Sequence, residues 1–169
     1  MLKTKKLILL SILISQALVL NLIERAIPVP IPVPGVKLGL ANVISLFTII
    51  VFGLKETILV VILRTLLGSF FAGGISSFFY SLAGGLLSAI IMSYLYINWK
   101  SLFSIPTISV AGAIFHNIGQ IIVASIVLSN IYLFYYLPIL LISGVITGVI
   151  IGFTVQFSIS PLKRILKIN

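Results

Sequence analysis

Long apolar runs, interrupted by short polar, proline or glycine punctuation, divide the chain into six stretches at roughly residues 6–24, 38–54, 56–72, 75–97, 106–129 and 134–158. A helix needs about 20 mainly apolar residues to cross a bilayer, and these stretches sit near that length. The breaks are a proline-rich segment before residue 38, the turn at 53–56, Gly73 with Gly74, the polar residues 98–104 with Pro106, and residues 130–134. Most links are very short, so consecutive helices are expected to be antiparallel neighbours. The pattern predicts an all-α polytopic membrane protein of six transmembrane helices, forming one membrane domain over 1–169. The second and third stretches are individually short and are open to reading as a re-entrant hairpin, but Lys55 and Glu56 between them mark a membrane interface. No repeat of fixed period is visible.

The strongest local break is PVPIPVPGVKLGLAN over residues 28–42, where Pro28, Pro30, Pro32 and Pro34 fall on every second position. Each proline fixes φ and removes a backbone donor, so no helix passes through. The residues between are pushed to extended conformations. The segment is predicted to be a polyproline-like strap with a rise of about 3 Å per residue. Gly35 follows as a hinge. The strap reads as a lid over a site between the helices, or as a stiff connector.

Composition supports the membrane reading. Of 169 residues, 60% are hydrophobic and only 8% charged, against about 25% charged in an average soluble domain. Mean hydropathy is +1.33. The acids are Glu24 and Glu56 alone, and the formal charge is +9. The basic residues cluster at helix ends and termini, which fits anionic headgroups; no basic patch is interleaved with aromatics as nucleic-acid binding requires. Placing the N-terminus inside puts Lys3, Lys5, Lys6, Lys55, Lys100, Lys163, Arg164 and Lys167 on the inner side and only Arg25 and Lys37 outside. The positive-inside rule therefore predicts N-in/C-in topology, with the strap outside. The apolar run after Met1 is too long for a typical signal peptide and lacks a small-residue cleavage pattern, so it is read as a retained first span. Cysteine is absent.

Against this background the polar residues stand out. Arg64 falls near the middle of the third span, where a charge costs a few kcal/mol. Its partner must be an acid, a set of carbonyls or an anionic ligand, so it reads either as a structural clamp or as a substrate contact. On the fifth span, Gly112, His116, Gln120 and Ala124 share one face, flanked by Asn117. These side chains read as interhelical hydrogen-bond glue or as a substrate- or proton-handling cluster. Lys37 and Asn42 stand at the predicted N-terminus of the second span, where backbone donors and the helix dipole favour anions. Lys37 alone reads equally well as a helix-end anchor. Ser11 and Ser15, four apart on the first span, suggest a docking stripe for another membrane protein. Gly144, Gly148 and Gly152 form a ladder suited to close helix packing.

Some chemistry is missing from the sequence. It contains no phosphate-binding G-x4-G-K-[ST] loop, no aspartate-rich motif and no nucleophile–base–acid set. One histidine without cysteine or aspartate offers too few good metal ligands. The expectation is a non-enzymatic chain with no cofactor or metal of its own.

Four segments carry a resemblance: ERAIP with PGVKLGLAN between Glu24 and Asn42, VILRTLLG around Arg64, FYSLAGG from Phe79, and GAIFHNIGQ from Gly112. Together they resemble the Gx transporter family, often labelled heptaprenyl diphosphate synthase component I. More broadly the chain resembles the substrate-binding S component of an energy-coupling factor (ECF) transporter. That resemblance implies six membrane helices, a first loop closing over substrate from outside, and a prokaryotic plasma membrane. It also implies ATP used by partners: a coupling membrane subunit and two ATPases. The expected substrate is a small anionic or polar metabolite, attracted by Lys37, held by Asn42 and Arg64, and shaped by His116, Asn117 and Gln120. The label offers an alternative, a membrane accessory component of isoprenoid or quinone biosynthesis. If the strap is a lid, replacing Gly35 with a bulky β-branched residue slows ligand entry or release; unchanged ligand kinetics identify a connector.

Overall fold

The apolar runs fold as helices, and their ends fall where the backbone chemistry changes. The computed structural model describes residues 3–26, 37–72 and 74–166. The predicted lid residues Pro28, Pro30, Pro32, Pro34 and Gly35 lie outside the described residues. Six α-helices are present: α1 (Lys3–Ala26), α2 (Asn42–Phe52), α3 (Leu54–Ala72), α4 (Gly74–Trp99), α5 (Ile105–Val127) and α6 (Leu137–Leu166). A 3-10 helix at Ile131–Tyr136 leads into α6. Gly53, at φ +91°, ends α2 and returns its N–H to the Ile49 carbonyl at 3.0 Å, a conformation that favours glycine. Ser104 caps α5 by accepting from the Thr107 N–H, with Pro106 in the first turn where its missing donor costs nothing. Asn130 caps the 3-10 helix through Tyr132 N–H at 3.0 Å.

Four of the described helices are long and apolar enough to cross a membrane: α1, α4, α5, and the 3-10 helix continued into α6. The third predicted span is a helix of 19 residues, but it carries Lys55, Glu56 and Arg64. The second differs more. The sequence predicts a span over 38–54, whereas α2 has only 11 residues, a rise of roughly 16 Å and about half a hydrocarbon core. Residues 37–41 are irregular and run buried into the bundle instead. Positive φ at Gly39 and the hydrogen bonds of the next subsection hold them there. The last helix runs on through Pro161 to Leu166, past the predicted end at residue 158.

The bundle is apolar outside and mixed inside. Phe70, Ile75 and Phe157 are each at least 70% exposed, as lipid-facing side chains are. Leu46 and Ile49 of α2 pack against Met92 of α4, Ile108 of α5 and Val155 of α6, which puts α2 at the centre. Tyr80, Ile121, Ala124, Leu133 and Leu140 form a second core between α4, α5 and the start of α6. α1 touches only α2 and α3 among the described helices. It runs parallel to α3: Lys6 is ion-paired with Glu56 where both helices begin, and Asn21 lies against Gly68 near their far ends. An apolar cleft of about 510 Å³ opens where α1 stands apart from α6, between Leu13 and Leu20 of α1, Phe47 of α2 and Val155 of α6.

Close packing of α4, α5 and α6 rests on glycine. A Cβ on Gly119 would lie 3.0 Å from the Gly84 Cα, so α4 and α5 cross backbone to backbone. The Gly144–Gly148–Gly152 ladder faces α5: a Cβ on Gly148 would lie 2.7 Å from the Val110 Cα, and one on Gly152 would collide with Pro106. Lipid supplies no hydrophobic drive between helices, so such contacts carry the association. Backbone cannot move aside as a flexible side chain can. Gly148→Ala is therefore expected to destabilise the protein by about 1–3 kcal/mol, read as a lower Tm in lipid nanodiscs. Ile146→Ala, on an exposed position of the same helix, should change stability by no more than about 0.5 kcal/mol.

Candidate functional site

The segment 37–41 is held by side chains from distant parts of the chain. Irregular backbone at membrane depth persists only where protein or a cavity satisfies its polar groups. Gln120 of α5 does so twice, accepting from the Lys37 N–H at 2.8 Å and donating to the Lys37 carbonyl at 3.1 Å. Glu24 of α1 accepts from the Gly39 N–H and, at 3.2 Å, from the Leu40 N–H. Asn21, one turn before Glu24, accepts from the Lys37 ammonium at 2.8 Å. Lys37 is thus buried and engaged, not a solvated anchor at a helix end. Gly39 must be glycine: its φ is +90°, and a Cβ would lie 2.8 Å from Asn42 Nδ2 and 3.1 Å from His116 Cδ2.

Arg64 of α3 joins this cluster from the other side. It is 2% exposed and its Nη2 donates to Asn42 Oδ1 at a long 3.4 Å. Among the described residues its Nε has no partner, nor has Asn42 Nδ2. Glu24 lies within electrostatic reach of both Lys37 and Arg64, but among the described residues no carboxylate comes within ion-pairing distance of Arg64. The other acid, Glu56, is engaged with Lys6 at the opposite end of α3. His116 borders the cluster. Its Nδ1 meets the backbone of Gly84, where an added Cβ would lie 3.1 Å away, and makes no hydrogen bond of ordinary geometry. Buried hydroxyls of Ser45, Ser81 and Ser88 also lack partners.

The structure therefore brings Lys37, Asn42, Arg64, His116 and Gln120 together in one buried cluster. Asn117 is turned the other way, donating to the Leu140 carbonyl of α6 at 2.7 Å. Its amide lies where a Cβ on Gly144 would be, 2.6 Å away, so this polar contact and the glycine ladder belong together. Ser11 and Ser15 sit on the exposed face of α1, with the Ser15 hydroxyl donating to the Ser11 carbonyl at 2.9 Å. Sequence reasoning left out Asn21, Glu24 and Gly39. The available signal was Asn21 and Glu24 at i and i+3 near the end of an otherwise apolar helix, followed by a glycine between two leucines.

The cluster contains a buried guanidinium, an unpartnered amide donor and one carboxylate already engaged by backbone N–H groups. Among the described residues no three histidine or acidic side chains are grouped to hold a metal ion.

No curated protein and no solved structure matches the chain. The family described as heptaprenyl diphosphate synthase component I matches residues 13–158, which include every described member of the cluster. With four apolar helices long enough to span a membrane and a match over most of its length, the chain belongs to the heptaprenyl diphosphate synthase component I family.

Proposed function

We propose that this chain is the membrane-embedded substrate-binding component of an uptake transporter for a small anionic or polar metabolite. The observation that carries the reading is Arg64: a fully buried guanidinium with an unpartnered Nε and no carboxylate in ion-pairing reach among the described residues. An unpaired buried charge costs several kcal/mol, and inside membranes such residues mark ligand or ion pathways. Asn42, which meets Arg64 through Oδ1, carries a second unused donor at Nδ2. The short α2, entered through irregular buried backbone, fits the way transporter folds line substrate sites with interrupted helices.

In this reading Arg64 and Asn42 hold the substrate and His116 lines its pocket. Lys37 and Gln120 keep the entering segment in place. The chain has no phosphate-binding loop of its own, so energy comes from partners of the ECF type: a coupling membrane subunit and two ATPases. The exposed stripe of Ser11 and Ser15 on α1 offers them a docking face. Both termini lie inside, in the plasma membrane of a prokaryote, and the chain is not itself an enzyme.

The family's description favours a second reading, a membrane accessory component of heptaprenyl diphosphate or quinone biosynthesis. Affinity purification from native membranes separates the two. ATPases with a coupling subunit support the transporter; a soluble prenyl synthase supports the accessory role.

For the site itself, native mass spectrometry of the gently purified chain is expected to show a bound small molecule that stabilises it thermally. Truncating one partner of a buried charged contact costs about 2–5 kcal/mol. Arg64→Ala should thus weaken binding by about 30-fold or more, with a smaller loss in His116→Ala. Unchanged affinity in both folded variants would sink the assignment.

A further inference from the structure

The charges of the cluster limit what it accepts. Glu24, Lys37 and Arg64 are all at most 5% exposed, and Glu24 lies in the field of both cations. Counting His116 as neutral, two cations face one anion among the described side chains. Residues 27–36 contain no ionisable side chain, so the strap adds no charge to this sum. Glu24 and Lys37 are both engaged in holding residues 37–41, through Gly39, Leu40 and Asn21. One positive charge is left over, and Arg64 is the cation whose buried Nε–H has no partner among the described residues.

Its geometry narrows the class further. Nε and Nη2 form one edge of the guanidinium, the edge that takes a carboxylate through two parallel N–H···O bonds. Nε is unpartnered, and Nη2 makes only the 3.4 Å contact to Asn42. Asn42, which meets Nη2 through Oδ1, carries a further unused donor at Nδ2, next to Gly39. Gly85 of α4 passes close to this edge: a Cβ there would lie 3.0 Å from Nη2, and glycine leaves that space open.

We propose that this site takes a ligand bearing a single carboxylate on the Nε/Nη2 edge of Arg64, and that it rejects a diphosphate. A diphosphate brings about two or more negative charges at neutral pH. One positive charge leaves at least one of them buried and unpaired, which is strongly unfavourable. The inference rests on the binding-component reading and adds the ligand's charge and head group to it.

Asn42→Asp tests the charge directly. It exchanges the amide beside Arg64 for a carboxylate of the same shape, cancels the excess charge and removes the unused donor. In the full chain in lipid nanodiscs, the ligand-free Tm is expected to rise by about 3–6 °C. In the wild type, acetate and pyruvate should raise Tm, while inorganic diphosphate, with or without magnesium, should not. All three should be inert on Asn42→Asp. Glu24→Gln keeps an oxygen acceptor for the Gly39 and Leu40 N–H groups but removes one negative charge. Its preference is expected to move from acetate toward diphosphate.

A lower Tm in Asn42→Asp, or its failure to fold together with an unchanged preference in Glu24→Gln, overturns the proposal. So does stronger stabilisation of the wild type by diphosphate than by the carboxylates. If that diphosphate effect disappears in Arg64→Ala, the binding-component reading survives and only the single-carboxylate assignment falls. If Asn42→Asp is stabilised while no small molecule co-purifies with the wild type, the charge assignment stands and the binding-component reading falls.

Discussion

The structure depends on keeping five residues of irregular backbone, 37–41, buried inside a helical bundle. In water such a segment would hydrate its own peptide groups. Inside a membrane protein every N–H and C=O must find a partner, and each failure costs several kcal/mol. Gln120 answers this with a two-point bond to the Lys37 peptide, and Glu24 with a carboxylate for two successive N–H groups. The carboxylate brings its own requirement, since a lone buried anion is unfavourable. Lys37, tethered through Asn21, supplies the compensating charge nearby. Most of the polar cluster is thereby explained by the fold. Arg64 meets the segment only through Asn42 and the field of Glu24, and its Nε keeps no partner among the described residues.

The same economy governs the helix packing. With lipid outside, burying apolar surface gains little, and the helices associate through close backbone approach and a few polar contacts. Gly84 against Gly119 brings α4 and α5 together at the level of His116 and Gln120. Gly144 makes room for the Asn117 amide, which ties α5 to α6. The buried threonines Thr48, Thr57 and Thr65 satisfy their hydroxyls on carbonyls of the preceding turn, at 2.6–2.8 Å, and so ask nothing of neighbouring helices. The buried hydroxyls of Ser45, Ser81, Ser88 and Ser93 have no such partner among the described residues. That contrast separates polar residues spent on structure from those left with donors to offer. α1, resting only on α2 and α3 beside an apolar cleft, is the least integrated helix of the bundle.

Much of this was legible in the sequence. The bilayer sets one length scale and one polarity, so runs of about 20 apolar residues declare themselves locally. Proline and glycine mark the breaks by their own backbone chemistry, and Arg64, His116 and Gln120 stand out because their burial in a membrane needs a reason. What the sequence did not show was which partners these residues meet. Lys37 reads as a helix-end anchor until Gln120, 83 positions away, is seen to hold its peptide. Asn117 reads as part of the His116 face, yet one residue around an α-helix is about 100° of rotation, enough to turn it toward α6. Glu24 stands near the end of an apolar run, and only the return of the chain at Gly39 gives it its partners. The sequence alone determined the apolar helices, their breaks and the candidate polar residues, because those follow from local periodicity and transfer cost. Only the tertiary structure decided that α2 is half a span and that Glu24 is committed to backbone. It also decided that Arg64 is buried with an unpartnered Nε among the described residues, because these outcomes depend on contacts between segments far apart in the chain.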